Sequence, residues 1–166
     1  MPQPKPLPPV ELLREYFDYD PVTGEVRYKK ARKRIRVGEI VSRQHPAGYL
    51  WVSIDRRNYL LHRIVWKIMT GTDPSAEVDH KDRNRKNNAW NNLRLADGFE
   101  NRINSIRLGS LPRGVRQRKG RTNFYAQIRA GGKTIHLGVF TTAEEAHQAY
   151  RKASLELHGE FSIYAS

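Results

Sequence analysis

Residues 78 to 101 form a continuous polar stretch with the sequence VDHKDRNRKNNAWNNLRLADGFEN. It holds an acid, Asp79, a histidine, His80, and two amides, Asn92 and Asn101. Aspartate supplies a hard anionic oxygen, asparagine a neutral amide oxygen, and histidine a base that titrates near neutral pH. Because these are the groups needed for metal-assisted attack of water on phosphate, the stretch predicts nuclease chemistry.

The local pattern of this stretch predicts strand, loop, strand and helix. Short strands are expected at 76–80 and 93–95, with a polar loop between them. Asp97 and Glu100 have the spacing of a capping box, so a helix should begin there with Asn101 in its first turn. This order of elements would bring the acid, the histidine and the last amide toward one point.

Each of these residue types also has an ordinary structural role. A single Asp-His pair is common in proteins, and asparagine-rich loops mostly bond their own backbone. Only the combination is specific, and among the loop asparagines only Asn92 is given a part in the chemistry. His62, at the start of a predicted helix, is at least as well explained by packing and is treated as a supporting residue.

Positive charge is concentrated in two segments of the chain. Thirty Lys and Arg stand against 17 Asp and Glu, which gives a formal net charge of +13 and a pI of about 10.3. Residues 27–36 hold seven basic side chains and no acid, and residues 101–143 hold nine and again no acid. Exposed surfaces usually mix the two signs, so this separation predicts a polyanionic partner, with nucleic acid as the leading candidate.

Length and composition limit the class of protein further. A chain of 166 residues can form one domain or two small ones, and we expect two modest modules. No cysteine is present, which excludes disulfides, thiolate catalysis and cysteine-based zinc sites. Residues 1–9 contain five prolines and should form a flexible lead-in. No apolar segment has the length of a signal peptide or a membrane span, which predicts a soluble, intracellular protein without membrane contact.

Residues 10–104 are predicted to form the first module. Hydrophobic spacing upstream of residue 78 indicates a helix, a strand, a hairpin and a second helix. The expected bounds are a helix at 10–17, turn formers at 18–24, a strand at 25–28, a hairpin at 49–61 with a four-residue polar turn at 55–58, and a helix at 62–69 that stops at Gly71.

A linker at 105–112 should lead into a second module at 113–166. Its pattern predicts strands at 113–118, 124–130 and 133–140, followed by an amphipathic helix at 141–158. In the middle strand Ala126 and Ile128 share one face, which can pack on the helix. The other face of that strand is polar and basic.

Asp79-His80, Asn92 and Asn101 resemble the His-Asn-Asn version of the HNH motif in phage homing endonucleases. The resemblance continues upstream through LHRIVW at 61–66 and covers most of residues 18–104. It implies a ββα-metal module that cleaves DNA, and a protein that works in the cytoplasm of a bacterial host cell. No organic cofactor is implied.

The same resemblance assigns roles to individual residues. One divalent cation, Mg²⁺ with Mn²⁺ as the alternative, would be held by Asp79 and Asn101. His80 would be the general base that takes a proton from the attacking water, and Asn92 would either orient His80 or brace the loop. His62 would support the site.

Residues 113–161 resemble the plant ethylene-response-factor DNA-binding domain, through RGVRQR at 113–118, FYAQIR at 124–129 and HLGVF at 136–140. The resemblance implies a three-stranded sheet that lies in the major groove. The residues that would face DNA are Arg113, Arg116, Arg118, Gln127 and Arg129. Gln127 and His136 replace the Glu and Trp that the plant domains often carry, so the plant sequence preference does not transfer.

Together these features predict an α+β chain with an HNH nuclease module and a small sheet-plus-helix DNA-binding module. The expected partner is double-stranded DNA, cut at selected sites by a homing-type enzyme. A non-catalytic DNA-binding regulator on a degenerate nuclease scaffold is the alternative. RNA binding is a weaker third possibility, because paired exposed aromatics are not evident in the second module. A nicking monomer and a double-strand-cutting homodimer both stay open.

Overall fold

Small antiparallel sheets and short helices follow one another along the chain in the computed structural model, which describes residues 5–32, 34–104 and 111–165. The chain divides into two units, Met1–Gly98 and Phe99–Ser166. The predicted boundary at residue 104 therefore lies six residues past the observed division. Most of the predicted linker, residues 105–110, lies outside the described residues.

The described residues of the first unit form three two-stranded antiparallel sheets and two α-helices. In chain order its elements are α1 (Val10–Tyr16), β1 (Phe17–Tyr19), β2 (Val26–Tyr28), β3 (Trp51–Ile54), β4 (Arg57–Leu60), α2 (Leu61–Thr70), β5 (Glu77–His80) and β6 (Leu93–Ala96). Each strand pairs with its neighbour in sequence, β1 with β2, β3 with β4, and β5 with β6. The mixed α+β class predicted from the sequence is confirmed.

Two local predictions differ from the structure of the first unit. The first helix ends at Tyr16, because Phe17 turns into the core and pairs with Tyr28 as the first residue of β1. The polar turn of the hairpin has two residues, Asp55 and Arg56, instead of four. The register that pairs Ile54 with Arg57 explains the shorter turn, because it takes two polar residues of the expected turn into β4.

The core of the first unit is formed by one face of α2 and the inner faces of the sheets. Ile64 and Val65 are almost fully buried, as their helical spacing predicts, and Leu61, which begins the helix, is buried with them. They pack in the same cluster as Val52 and Ile54 of β3. Helix α2 ends at Gly71, which has a φ of 79° and donates its N–H to the carbonyl of Lys67, so the predicted stop is confirmed.

The proline-rich lead-in is tied down at Leu7. Its side chain is buried, its N–H donates to the Asp73 carboxylate at 3.0 Å, and its carbonyl accepts from Lys67 at 3.3 Å. The flexible segment expected for residues 1–9 therefore does not extend through Leu7. Residues 1–4 lie outside the described residues.

The basic stretch 27–36 is largely engaged in folding contacts. Arg27 pairs with Glu25, and Lys29 donates to the carbonyl of Arg14. Arg32 donates to the carbonyl of Ser53 and lies over the ring of Tyr16. These contacts tie the first half of the stretch to the first unit.

The second unit contains a three-stranded antiparallel sheet and a long helix. Helix α3 (Gly98–Asn104) spans the division between the units, and β7 (Val115–Gln117), β8 (Phe124–Ala130), β9 (Lys133–Phe140) and α4 (Ala143–His158) follow. The last helix starts with a capping box, in which the Thr142 side chain accepts from the N–H of Glu145 and the Glu145 side chain accepts from the N–H of Thr142.

Helix α4 covers one face of this sheet. Ala126 and Ile128 of β8 are buried with Ala146 and Tyr150 of α4, as the alternation of β8 predicts. Gly114, with a φ of 79°, lies so close to the Tyr150 ring that a Cβ there would be 1.9 Å from it. Among the helices described in either unit, none has both the length and the apolar character needed to cross a bilayer.

Candidate active site

The β5–β6 hairpin positions the central acid and histidine. In its register Asp79 faces Arg94 and His80 faces Leu93. Because side chains alternate along a strand, His80 shares the buried side with Val78, and Asp79 lies on the opposite side. His80 is only 3% exposed, whereas Asp79 is partly open to solvent.

His80 is held in one orientation by Asn88. Its Nε2 lies 3.3 Å from the Asn88 Oδ1, and both residues are buried. The orientation of the Asn88 amide is set by its own nitrogen, which donates to the carbonyl of Lys86 at 3.1 Å. Since Oδ1 can only accept, Nε2 must carry the proton in neutral His80, and the basic lone pair is then on Nδ1.

His62 and Tyr49 pack around the ring of His80. The His62 and His80 rings meet edge to face with centroids 5.1 Å apart, and the Tyr49 centroid lies 5.1 Å from His62 and 6.0 Å from His80. Burial lowers the pKa of His62 to about 3, so it is neutral at physiological pH. Burial also lowers the pKa of His80, against the opposing effects of the Asn88 hydrogen bond and the Asp79 charge. Both rings are therefore neutral near pH 7, as a general base must be.

Asn92 braces the loop that follows β5. Its Oδ1 accepts from the N–H of Asp82 at 3.0 Å, and its Nδ2 donates to the Asp82 carboxylate at 2.9 Å and to the carbonyl of Asn87 at 2.8 Å. Burial raises the pKa of Asp82, but hydrogen bonds from Asn87, Asn84 and Asn92 outweigh it and lower the pKa overall. Of the two roles that the resemblance allowed for Asn92, these contacts match loop bracing.

The end of β1 and the turn between β1 and β2 contact the loop that joins β5 to β6. The Tyr19 hydroxyl donates to the carbonyl of Asn88 at 2.9 Å, and the N–H of Trp90 donates to the carbonyl of Pro21 at 2.9 Å. Gly24 lies so close to the loop backbone that a Cβ on it would be 2.2 Å from the Ala89 nitrogen. The position of Asn88, and through it of His80, therefore depends on a turn more than sixty residues away in sequence.

The Asp79 carboxylate is paired with Arg94. The Nε and Nη2 of Arg94 both donate to Oδ2 of Asp79, at 3.1 and 3.0 Å. The side chains are 7% and 15% exposed for Arg94 and Asp79, so the pair is largely shielded from solvent. Sequence reasoning missed both Arg94 and Asn88. The alternation of β6 could have placed Arg94 opposite Asp79, but no pattern distinguishes Asn88 from its neighbours.

The predicted site residues are divided between the two units. Asp79, His80, Asn92 and His62 belong to the first unit, and Asn101 lies in α3 within the second. Among the described residues there is no group of three or more His, Asp or Glu side chains arranged to hold a metal ion.

The uncovered face of the second unit's sheet carries three of the predicted DNA-facing side chains. Arg116 lies opposite Tyr125, Gln127 opposite His136, and Arg129 opposite Thr134 in the strand registers. The Tyr125 and His136 rings are stacked, with centroids 5.9 Å apart and an interplanar angle of 11°. An aromatic pair that the sequence did not reveal therefore lies on this face.

The Arg118 guanidinium lies 5.8 Å from the centroid of the Tyr125 ring. Arg113 precedes β7, and its carbonyl is 3.2 Å from Nδ1 of His147. The face that α4 leaves uncovered thus combines cationic, amide and aromatic groups.

Comparison with known proteins finds a family match over the C-terminal part of the first unit and the first residues of the second. Residues 59–102, which span β4 to α3, match the family model described as HNH endonuclease. An uncharacterised HNH endonuclease of Acanthamoeba polyphaga mimivirus is 37% identical to this chain over 113 residues. That alignment covers 67% of this chain and 59% of the viral protein, so the chain spans less than two thirds of its relative. The segment that contains Asp79, His80, Asn88, Asn92 and Asn101 is thus similar to HNH endonucleases.

Proposed function

We propose that this chain is a metal-dependent DNA endonuclease of the HNH type in which His80 is the general base. The observation that carries the proposal is the pairing of His80 with Asn88, which fixes the tautomer of a buried, neutral imidazole within the HNH-like segment.

The proton transfer follows from this tautomer. Nδ1 of His80 takes a proton from a water molecule, whose oxygen forms a bond to phosphorus while the bond from phosphorus to the 3′ oxygen breaks. The imidazolium that forms carries a proton on each ring nitrogen, and its Nε2–H still donates to Asn88. His62, neutral through burial, packs against the ring without adding a positive charge beside it.

Asp79 and Asn101 are the residues proposed to hold one divalent cation, with Mg²⁺ preferred. A carboxylate and an amide oxygen are hard donors, and a site with few protein ligands matches the tendency of Mg²⁺ to keep several waters, so the donor chemistry fits. When bound, the ion would stabilise negative charge on the phosphate and the leaving oxygen. Arg94 would hold the Asp79 carboxylate in place from the neighbouring strand.

The second unit is proposed to hold duplex DNA against the uncovered face of its sheet. Residues 101–143 carry nine basic residues and no acid, which fits a polyanion. Arginine and glutamine can read base edges in the major groove, and an alternating strand presents several on one face. Arg113, Arg116, Arg118, Gln127 and Arg129 are the proposed contacts, and they would give the enzyme its site selectivity.

The activity is tested with a pool of supercoiled plasmids that carry cloned viral and bacterial DNA. Wild-type protein with Mg²⁺ should convert a subset to nicked or linear form, and EDTA should stop the reaction. His80→Ala should reduce the rate by at least about 100-fold, within the range that a general base contributes. His45→Ala is the matched control, since it removes an exposed histidine from the same unit. Equal cutting by His80→Ala and wild type would reject His80 as the base.

A DNA-binding protein without cleavage activity is the second candidate. The ion pair with Arg94 favours it, because it already neutralises the acid that would hold the cation. This candidate predicts tight, salt-sensitive binding of duplex DNA and no cutting under any divalent ion. The plasmid assay separates the two, because binding is common to both and cutting is not.

A further inference from the structure

Three arginines of the first unit occupy a backbone conformation that favours glycine. Among the described residues, the non-glycine positions with positive φ are Asp55 at 48° and Arg34, Arg56 and Arg83 at 67°, 62° and 65°. An L side chain in this left-handed region crowds its Cβ against the backbone, and glycine, asparagine and aspartate are the residues that tolerate it best. Arginine has no short acceptor to bond the local backbone, so turn chemistry does not explain its presence.

Each of the three arginines lies in a tight turn. Arg56 is the second residue of the two-residue turn between β3 and β4, where both positions are left-handed and the second usually holds glycine. The N–H of Arg83 donates to the carbonyl of His80 at 2.9 Å, which closes the turn directly after β5. Arg34 lies between Arg32 and Ile35, whose backbones exchange two hydrogen bonds. All three arginines are exposed.

The charged ends of their side chains take no part in the hydrogen bonds and ion pairs of the described fold. None of the three guanidinium groups makes a hydrogen bond or an ion pair with another residue in the described part of the chain. Several other arginines of the first unit do make such contacts: Arg27, Arg32, Arg85 and Arg94. The strained arginines therefore present a positive charge to solvent from a backbone conformation that is unfavourable for an L side chain.

We propose that Arg34, Arg56 and Arg83 bind phosphates of duplex DNA, and that the first unit retains three strained turns in order to present them. The inference rests on the proposed function, since it takes DNA as the partner. Arginine suits this role because its planar guanidinium can donate two hydrogen bonds to one phosphate. Arg83 follows His80 by three residues, so it would bind DNA beside the proposed base.

Replacing these arginines with glycine should affect stability and DNA binding in opposite directions, because it removes backbone strain and a positive charge together. Each of three glycine variants removes the strain of a side chain on left-handed backbone: Arg34→Gly, Arg56→Gly and Arg83→Gly. Each variant should therefore melt at or above the Tm of the wild-type protein. Each should also bind duplex DNA about fivefold more weakly at 0.15 M salt, with the log-log salt slope smaller by about 0.9. Arginines that only support folding would show the reverse pattern.

Binding is measured by fluorescence anisotropy on the full chain with a labelled 30-base-pair duplex of mixed sequence, in EDTA to prevent cutting. Asp55→Gly is the control for strain, since it relieves the same turn as Arg56→Gly without removing a cation, and it should not weaken binding. Arg56→Lys is the control for charge, since it keeps a cation in a strained turn and should leave the salt slope unchanged.

The outcomes separate the two proposals. If the wild-type protein does not bind the duplex, the proposed function fails and this inference fails with it. If the wild-type protein binds and all three glycine variants keep its affinity and salt slope, the inference is overturned while the proposed function stands. Stronger competition by single-stranded RNA than by unlabelled duplex would also overturn it, because the phosphates bound would then belong to another polymer.

Discussion

The side-chain oxygen of Asn88 lies 3.3 Å from Nε2 of His80, and the Asn88 amide nitrogen is held by the carbonyl of Lys86. Together these contacts select the tautomer with the proton on Nε2, which leaves Nδ1 as the nitrogen that can accept a proton. Asn88 therefore acts on the proposed chemistry through His80 and is a positioning residue.

Replacing Asn88 should disturb the tautomer of His80. Asn88→Ala removes the acceptor at Nε2, and we expect the cleavage rate to fall by roughly 10- to 100-fold, a part of what a positioned base contributes. Nitrogen NMR of the His80 ring should show a mixture of tautomers in place of one. Asn87→Ala, which weakens the same loop without touching His80, should keep the single tautomer. An unchanged NMR spectrum in Asn88→Ala would contradict the assigned role.

Gly24 should be intolerant of any side chain. A Cβ there would be 2.2 Å from the Ala89 nitrogen, and φ is 78°, so Gly24→Ala must displace the loop that carries Asn88. We expect a loss of roughly 2–4 kcal/mol in the free energy of unfolding, from overpacking and left-handed strain together. Gly38 has a φ of 80° but open space around it, so Gly38→Ala should lower the free energy of unfolding by only about 1 kcal/mol. Urea denaturation of both variants measures the difference, and equal losses would argue against the close approach.

The Asp79–Arg94 pair should be strongly coupled. Arg94→Met leaves a shielded carboxylate without this partner, and we expect stability to fall by roughly 2–4 kcal/mol. The double variant Asp79→Asn with Arg94→Met should lose clearly less than the sum of the two single losses, because no unpaired charge remains. Additive losses in a urea-denaturation cycle would show that the two side chains do not interact.

His62 should make stability depend on pH in the acid range. The pKa of His62 is about 3 in the folded protein and near 6.5 in the unfolded chain, so the unfolded state takes up the extra proton as pH falls. The stabilising effect of keeping His62 neutral is fully present above about pH 6.5. Between pH 7 and pH 5 the free energy of unfolding should therefore fall by about 2 kcal/mol. His62→Phe should lose that part of the drop in urea titrations at the two pH values. The same pH dependence in both proteins would contradict a buried, neutral His62.

The sheet of the second unit should contribute to DNA affinity. Arg116→Ala removes a cation from its uncovered face, and the log-log salt slope for duplex binding should decrease by about 0.9 if a phosphate contact is lost. Arg151→Ala is the matched control, because it removes an exposed arginine from α4, where it lies over the ring of Tyr164. Binding isotherms at four salt concentrations give the slope for each protein. Equal slopes for Arg116→Ala and wild type would show that Arg116 does not contact a phosphate.

Elements with strong periodicity were predictable from the sequence, and elements defined by contacts with distant residues were not. Strands β8 and β9 have the predicted bounds, and α2 ends at the predicted glycine. Strand β1 was missed because Phe17 continues the apolar spacing of α1, and only its pairing with Tyr28 takes it out of the helix. The length of the β3–β4 turn was missed because register is set by pairing across the hairpin.

The chemical groups available to this protein can be read from its residues: an acid beside a histidine, amides nearby, no thiol, and a large excess of positive charge. Which amide bonds to which group depends on the folded loop. The sequence alone does not distinguish the five asparagines between residues 84 and 92. In the structure Asn88 turns inward to His80, whereas Asn92 bonds to Asp82. The physical reason is that a hydrogen bond requires a distance and a direction, and both are set here by a loop that packs against the distant turn at Gly24.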